Sequence, residues 1–141
     1  MKIVITSHGD LCEGILTSYA MIAGDSSHFT VVKLDEKGIS DFSVRLNNVL
    51  DSLLTSNEFV IVLSDIMGGT PYNETFRYLL ANPDKKVFLI SGLNLPMLIQ
   101  AGTAFEDESD IHTLLDSILQ AGQDSISLAP TAITNNDDLD F

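Results

Sequence analysis

The sequence holds only one cysteine, Cys12, so no disulfide can close within the chain, and nothing in it calls for an oxidising compartment. Long apolar runs are also missing: no window reaches the roughly eighteen consecutive apolar residues that a membrane-spanning helix needs. The amino-terminal run Met1-Lys2-Ile3-Val4-Ile5-Thr6-Ser7-His8 lacks the extended apolar stretch and small-residue cleavage site of a signal peptide. A soluble, cytoplasmic protein is the expectation. Cations are scarce, with seven Lys and Arg against twenty Asp and Glu and a net charge of -13. Such a field repels nucleic acid and anionic lipid, although it would speed encounter with a basic protein partner. Neither a G-x-G-x-x-G fingerprint nor a Walker loop is present, and His28 and His112 have no metal-ligand spacing, so no cofactor and no metal are expected.

What is present is an alternation of strand and helix signals. The β-branched run Ile3 to Ile5 leads to a polar cluster at Ser7, His8, Gly9 and Asp10, as a buried parallel strand does at its end. Apolar residues at helical spacing follow from Leu11 to Ala23, with Gly24 as a stop. Further strands are predicted at Phe29 to Leu34, Phe59 to Leu63 and Val87 to Ile90. Amphipathic helices are predicted after Gly38, from Pro71 with Thr70 as N-cap, after the loop Gly92 to Pro96 as a short helix ending near Gly102, and over the positions Ile111, Leu114, Leu115, Ile118 and Leu119. Ser125 to Ala129 reads as a weak edge strand. The expected organisation is one domain over residues 1–129 followed by an irregular acidic tail over 130–141.

This alternation predicts an open three-layer α/β sandwich with a mainly parallel sheet. In a strand order of 2-1-3-4 the functional crevice opens between the first and third strands, beyond their carboxyl ends. Those strands end at His8 and Asp65, which makes two distant residues candidate neighbours. A carboxylate bonded to one imidazole nitrogen fixes the tautomer and leaves the other lone pair free for attack on phosphorus. The loop Gly68-Gly69-Thr70-Pro71 then runs into a helix start, where backbone amides and the dipole favour a phosphoryl group without help from arginine. The only arginines, Arg45 and Arg77, fall in predicted helix bodies.

Three motifs stand at strand ends: Ser7-His8-Gly9, the run Asp65-Ile66-Met67-Gly68-Gly69-Thr70-Pro71-Tyr72-Asn73, and Gly92-Leu93-Asn94-Leu95-Pro96-Met97-Leu98. Together they resemble the IIA component of the mannose/fructose/sorbose family of the bacterial phosphoenolpyruvate-dependent sugar phosphotransferase system, over roughly residues 1–128. The resemblance implies that His8 takes a phosphoryl group from phospho-HPr and passes it to a IIB subunit. It implies Asp65 as the partner of the His8 ring, Thr70 as a phosphate-side hydroxyl, and Gly68 and Gly69 as the phosphate-facing loop. It also implies a homodimer completed by a late strand, for which Ser125 to Ala129 is the available segment, and association with membrane permease subunits through IIB.

Plainer readings stand beside these. A histidine after a strand, an aspartate in a turn and paired glycines are each ordinary structural features when taken singly. Met67 and Leu95 serve either as a docking rim around His8 or as core residues folded inward. Cys12, on the apolar side of the first helix, reads as a small hydrophobe. Two other functions use a similar crevice: a histidine-type phosphatase or mutase, which normally surrounds phosphate with arginines, and a flavodoxin-like small-molecule binding module.

Overall fold

A computed structural model describes residues 2–104 and 110–131 of the chain. The acidic residues Glu106, Asp107 and Glu108 and the tail acids Asp137, Asp138 and Asp140 lie outside the described residues. The elements follow one another as β1 (Lys2–His8), α1 (Leu11–Ala23), β2 (Phe29–Leu34), α2 (Ile39–Ser56), β3 (Val60–Ser64), α3 (Thr70–Ala81), β4 (Val87–Ser91), α4 (Leu95–Ala104) and α5 (Ile111–Asp124). All strand pairs are parallel, in the order β2-β1-β3-β4. Register brings Thr6 of β1 opposite Ser64, the last residue of β3, so Asp65 leaves the sheet beside the end of β1 at His8.

The sheet is buried from both sides, which is why β3 is apolar almost without interruption. Ile3, Ile5, Ile61 and Leu63 meet Cys12 and Tyr19 of α1, Met97 and Leu98 of α4, and Leu114 and Ile118 of α5. On the other face Val4, Val60 and Val62 meet Phe42, Leu46 and Leu50 of α2 and Tyr78 of α3. Truncating a fully buried leucine such as Leu50 to alanine in so close-packed a layer costs about 2–5 kcal/mol. Cys12 is fully buried in the first of these clusters, where burial raises its thiol above the ordinary value.

α5 runs past Gly122 to Asp124. A Cβ there would lie 2.8 Å from Met97 Cγ and 3.2 Å from Asn94 Nδ2, so the glycine permits close packing of α5 on α4 and does not act as a stop. Thr70 is the first residue of α3 and Gly69 is its N-cap, in an extended conformation. The segment after α5 is not a strand within this chain: residues 126–130 have no regular structure, and Ile126 and Leu128 are exposed. A strand needs a neighbour to exchange backbone hydrogen bonds with, and this segment has not been brought onto the sheet. His28 also departs from the surface position expected for it, since it is half-buried and packs 4.3 Å from the Phe29 ring and 6.2 Å from that of Tyr19.

Candidate functional site

Parallel strands and right-handed crossovers deliver helix starts to the carboxyl edge of the sheet, and α1 and α3 both begin there, beside β1 and β3. His8 ends β1 with its side chain half exposed, whereas the Asp65 side chain is only 9% exposed. The two meet through one oxygen. Asp65 Oδ2 accepts the His8 backbone N–H at 2.9 Å and pairs with the ring Nδ1 at 2.7 Å. An ionised carboxylate can only accept, so Nδ1 carries a proton, and in the neutral ring the lone pair is on Nε2. Asp65 Oδ1 accepts the Ile66 N–H at 2.9 Å, and the Asp65 N–H reaches the Thr6 carbonyl at 3.2 Å. Burial pushes the Asp65 carboxyl up, but the His8 backbone and ring bonds, with that of Ile66, outweigh it and hold the group below the usual carboxylate range.

The free edge of the ring faces the β3–α3 loop. A Cβ placed on Gly69 would come within 2.6 Å of His8 Cε1 and 3.4 Å of Nε2, so this backbone passes directly against the imidazole. Gly68 turns the chain into that approach at φ 81, a conformation that L side chains rarely adopt. Asn73 braces the loop, its N–H bonded to the Gly69 carbonyl at 2.8 Å and its Nδ2 donating to the Gly68 carbonyl at 3.0 Å. Pro71 has no N–H to leave unpaired, while the Thr70 and Tyr72 amides belong to the first turn and have no intrahelical acceptor. Thr70 is half-buried at this helix start. Nε2 therefore lies beside an electropositive helix end.

The surroundings are apolar at the centre and acidic outside. Met67 is 71% exposed and Ile66 58% exposed, both on the loop beside His8, and Leu11 at the start of α1 is 52% exposed. Leu95 is half-buried and packs against the core, so it offers only part of its surface to a partner. Lys33 and Arg45 at this end are engaged by carboxylates: Lys33 Nζ donates to Asp10 at 2.7 Å and to Glu13 at 3.3 Å, and Arg45 holds Asp41 at 2.7 Å. Arg77 lies in α3 and pairs with Glu74. Among the described residues no group of three or more His, Cys, Asp or Glu side chains is arranged to hold a metal ion, and no helix is long and apolar enough to cross a membrane. A concavity of about 500 Å³ lies at the amino ends of β3 and β4, lined by residues including Asp51, Glu58 and Lys85, on the far side of the sheet from His8.

The structure thus brings together His8, Asp65, Gly68, Gly69 and Thr70, and places Met67 on their rim. Sequence reasoning gave no role to Asn73, Ser7, Leu11 or Ile66. Ser7 was detectable as a polar residue at an inward-facing strand position, and Asn73 as an amide in the first turn of a helix that follows two glycines.

Fold and site together define an open α/β protein with a carboxylate-oriented histidine at the switch point of its sheet. The family model described as "PTS system fructose IIA component" (EIIA-man) matches residues 2–119, and the chain belongs to this family of sugar phosphotransferase system components. It is 26% identical over 129 residues to the fructose-specific EIIA component of Bacillus subtilis, covering 91% of this chain and 86% of that protein. It is 25% identical to the mannose-specific EIIAB component of Escherichia coli, covering 89% of this chain and only 38% of that longer protein. The mannose/sorbose specific IIA subunit from Enterococcus faecalis superposes with a TM-score of 0.82 at 27% identity, covering 95% of this chain and 98% of that one. The class is therefore a transferase component of the mannose/fructose/sorbose EIIA type.

Proposed function

We propose that this protein relays a phosphoryl group between two other proteins, with His8 as the residue that carries it. The lone pair of Nε2 attacks the phosphorus of a phosphohistidine on HPr, the donor P–N bond breaks, and the donor imidazole leaves with the bonding pair. The same exchange in reverse sense passes the group to a histidine of a IIB subunit, and the sugar itself is never touched here. Asp65 keeps the proton on Nδ1 and stabilises the positive charge that develops on the ring. The Gly68 to Thr70 loop and the first turn of α3 receive the phosphoryl oxygens, and Met67 and part of Leu95 contribute to the docking rim.

The observation that carries this reading is the His8 Nδ1 to Asp65 Oδ2 bond at 2.7 Å, with the opposite edge of the half-exposed ring against Gly69. An open shelf of this kind suits a reaction whose partners are proteins, since small-molecule substrates are usually held in clefts. No arginine is placed at the site in the manner of the histidine phosphatases.

The chain also acts, in this reading, as a homodimer that reaches the membrane permease through IIB. Support comes from β4, which is the outer strand of the sheet and is flanked by an apolar groove of about 330 Å³ lined by Tyr72, Phe76, Leu115 and Leu119 among others. Exposed Ile126 and Leu128, at alternate positions in the Ser125 to Ala129 segment, are suited to cover such a groove on a second copy.

The test is transfer of label from phosphoenolpyruvate. Purified protein is expected to take up label only when enzyme I and HPr are both present, as an acid-labile, base-stable phosphohistidine. Label that persists in His8→Ala would overturn the assignment of His8.

A further inference from the structure

Ser7 precedes His8 and is polar where the alternation of β1 sends a side chain into the core. It is fully buried on the face that carries Ile3, Ile5 and Cys12, whereas His8 projects from the opposite face toward α3. A hydroxyl buried without partners costs about 1–3 kcal/mol, so its bonds matter. Both of its capacities are used: the Oγ–H donates to the Gly9 carbonyl at 3.0 Å, and the oxygen accepts the Cys12 N–H at 2.9 Å.

The second bond makes Ser7 a remote cap for α1. The residue in the N-cap position, Asp10, makes no side-chain capping bond, and its carboxylate is turned to Lys33. The strand end is therefore joined to the first helical turn across a link containing Gly9 at φ 57. His8 lies between these anchors. On one side its N–H is held by Asp65, and on the other the Gly9 N–H reaches the Leu34 carbonyl at 2.7 Å. The ring itself is tethered by hydrogen bond at Nδ1. The direction of Nε2 then depends on how firmly the His8 backbone is held, and a displacement of about 1 Å in a reacting group can lower a rate by about 10²-fold.

We propose that Ser7 is a positioning residue for phosphoryl transfer at His8, its two hydrogen bonds locking the Gly9 turn to α1 so that Nδ1 stays on Asp65 and Nε2 stays aimed at the start of α3. This rests on His8 being the phosphoryl acceptor. Because Ser7 faces away from the ring and from the docking rim, its loss acts on kcat and not on the KM for the donor protein.

Ser7→Ala removes both bonds, and Ser7→Cys keeps a similar volume with much weaker hydrogen bonding. Two measurements are made on each: transfer from phospho-HPr over a range of donor concentrations, and the ¹⁵N spectrum of the His8 ring in the unphosphorylated protein. For Ser7→Ala the expected result is a loss of about 10-fold or more in kcat at unchanged KM, with ring signals moving from the single Nδ1–H tautomer toward an average of the two. Wild-type kcat with wild-type ring signals in folded Ser7→Ala would overturn the proposal. So would a lowered thermal midpoint with both readouts unmoved, since the serine would then serve α1 alone. Should Ser7→Ala fail to fold, Ser7→Cys decides in the same way: a mixed tautomer with reduced kcat supports the proposal, and wild-type values for both reject it. Wild-type protein that takes no label from phospho-HPr defeats the proposed function, while the ring spectra still test what Ser7 holds in place.

Discussion

One oxygen of Asp65 holds His8 twice, accepting its backbone N–H at 2.9 Å and pairing with its ring Nδ1 at 2.7 Å. The carboxylate fixes both where the strand ends and which ring nitrogen is free. Asp65→Asn tests the pair. An amide in place of the carboxylate can donate to Nδ1 and so favour the wrong tautomer, and in a serine-protease triad the same exchange costs about 10⁴-fold. A fall of at least about 10²-fold in the rate of His8 labelling is expected here on the same ground. Rapid-quench measurement of phosphoprotein formation checks it, and an unchanged rate would remove Asp65 from the mechanism.

The same pair predicts a pH dependence of stability. The Asp65 carboxyl is depressed in the folded protein, so below its ordinary value of about 3.9 the unfolded chain takes up a proton before the native one does. Its contribution is therefore complete above that value and is lost as pH falls through the lower folded-state pKa. Urea unfolding of wild type and Asp65→Asn in an acid series is expected to show wild type losing more stability at and below about pH 4. Parallel curves would show that the bond is energetically idle.

Gly68 and Gly69 are adjacent and are required for different reasons. Gly69→Ala puts a Cβ 2.6 Å from His8 Cε1 and 3.0 Å from Ile66 Cγ2, so either the ring or the loop must move. The expected cost is about 1–3 kcal/mol, together with a clear loss of His8 labelling. Gly68→Ala meets no atom within 4 Å but must adopt φ near 81, a penalty of about 1–2 kcal/mol from the backbone alone. Thermal unfolding and labelling of both variants separate a steric from a conformational requirement. Equal labelling by Gly69→Ala and wild type would contradict the close approach.

At the opposite end of the sheet, Tyr78 donates to Asp51 Oδ1 at 2.6 Å, and Lys85 Nζ lies 3.0 Å from the Tyr78 hydroxyl. Burial pushes the Tyr78 hydroxyl above its ordinary value, and the Asp51 carboxylate pushes it further. Tyr78→Phe is expected to lower stability by about 1 kcal/mol and to leave labelling at His8 unchanged. Chemical denaturation checks the first part and the phosphorylation assay the second.

The proposed dimer predicts the effect of a truncation. A chain ending at Asp124 keeps every helix and strand described here but loses Ile126 and Leu128. Sedimentation is expected to show the intact chain as a dimer and the truncated chain as a monomer. A truncated chain that still dimerises would place the contact elsewhere.

Much of this molecule can be read directly from its sequence. β-branched runs and helical spacing mark the strands and helices, because both signals are local and repeat with the period of the structure they form. The strand order 2-1-3-4 and the polar ends at His8 and Asp65 then name the crevice in which these two residues meet. Tertiary structure decided what depends on separated segments meeting. Residues 57 positions apart had to be superposed before one carboxylate oxygen could select Nδ1. Periodicity cannot tell a glycine that ends a helix from Gly122, which is needed because Met97 packs against it. It also cannot tell an exposed loop residue such as Met67 from Leu95, which lies partly against the core. Nor does the polar character of Ser7 disclose that its hydroxyl caps a helix across a turn, since that bond exists only when the end of β1 and the start of α1 are held together.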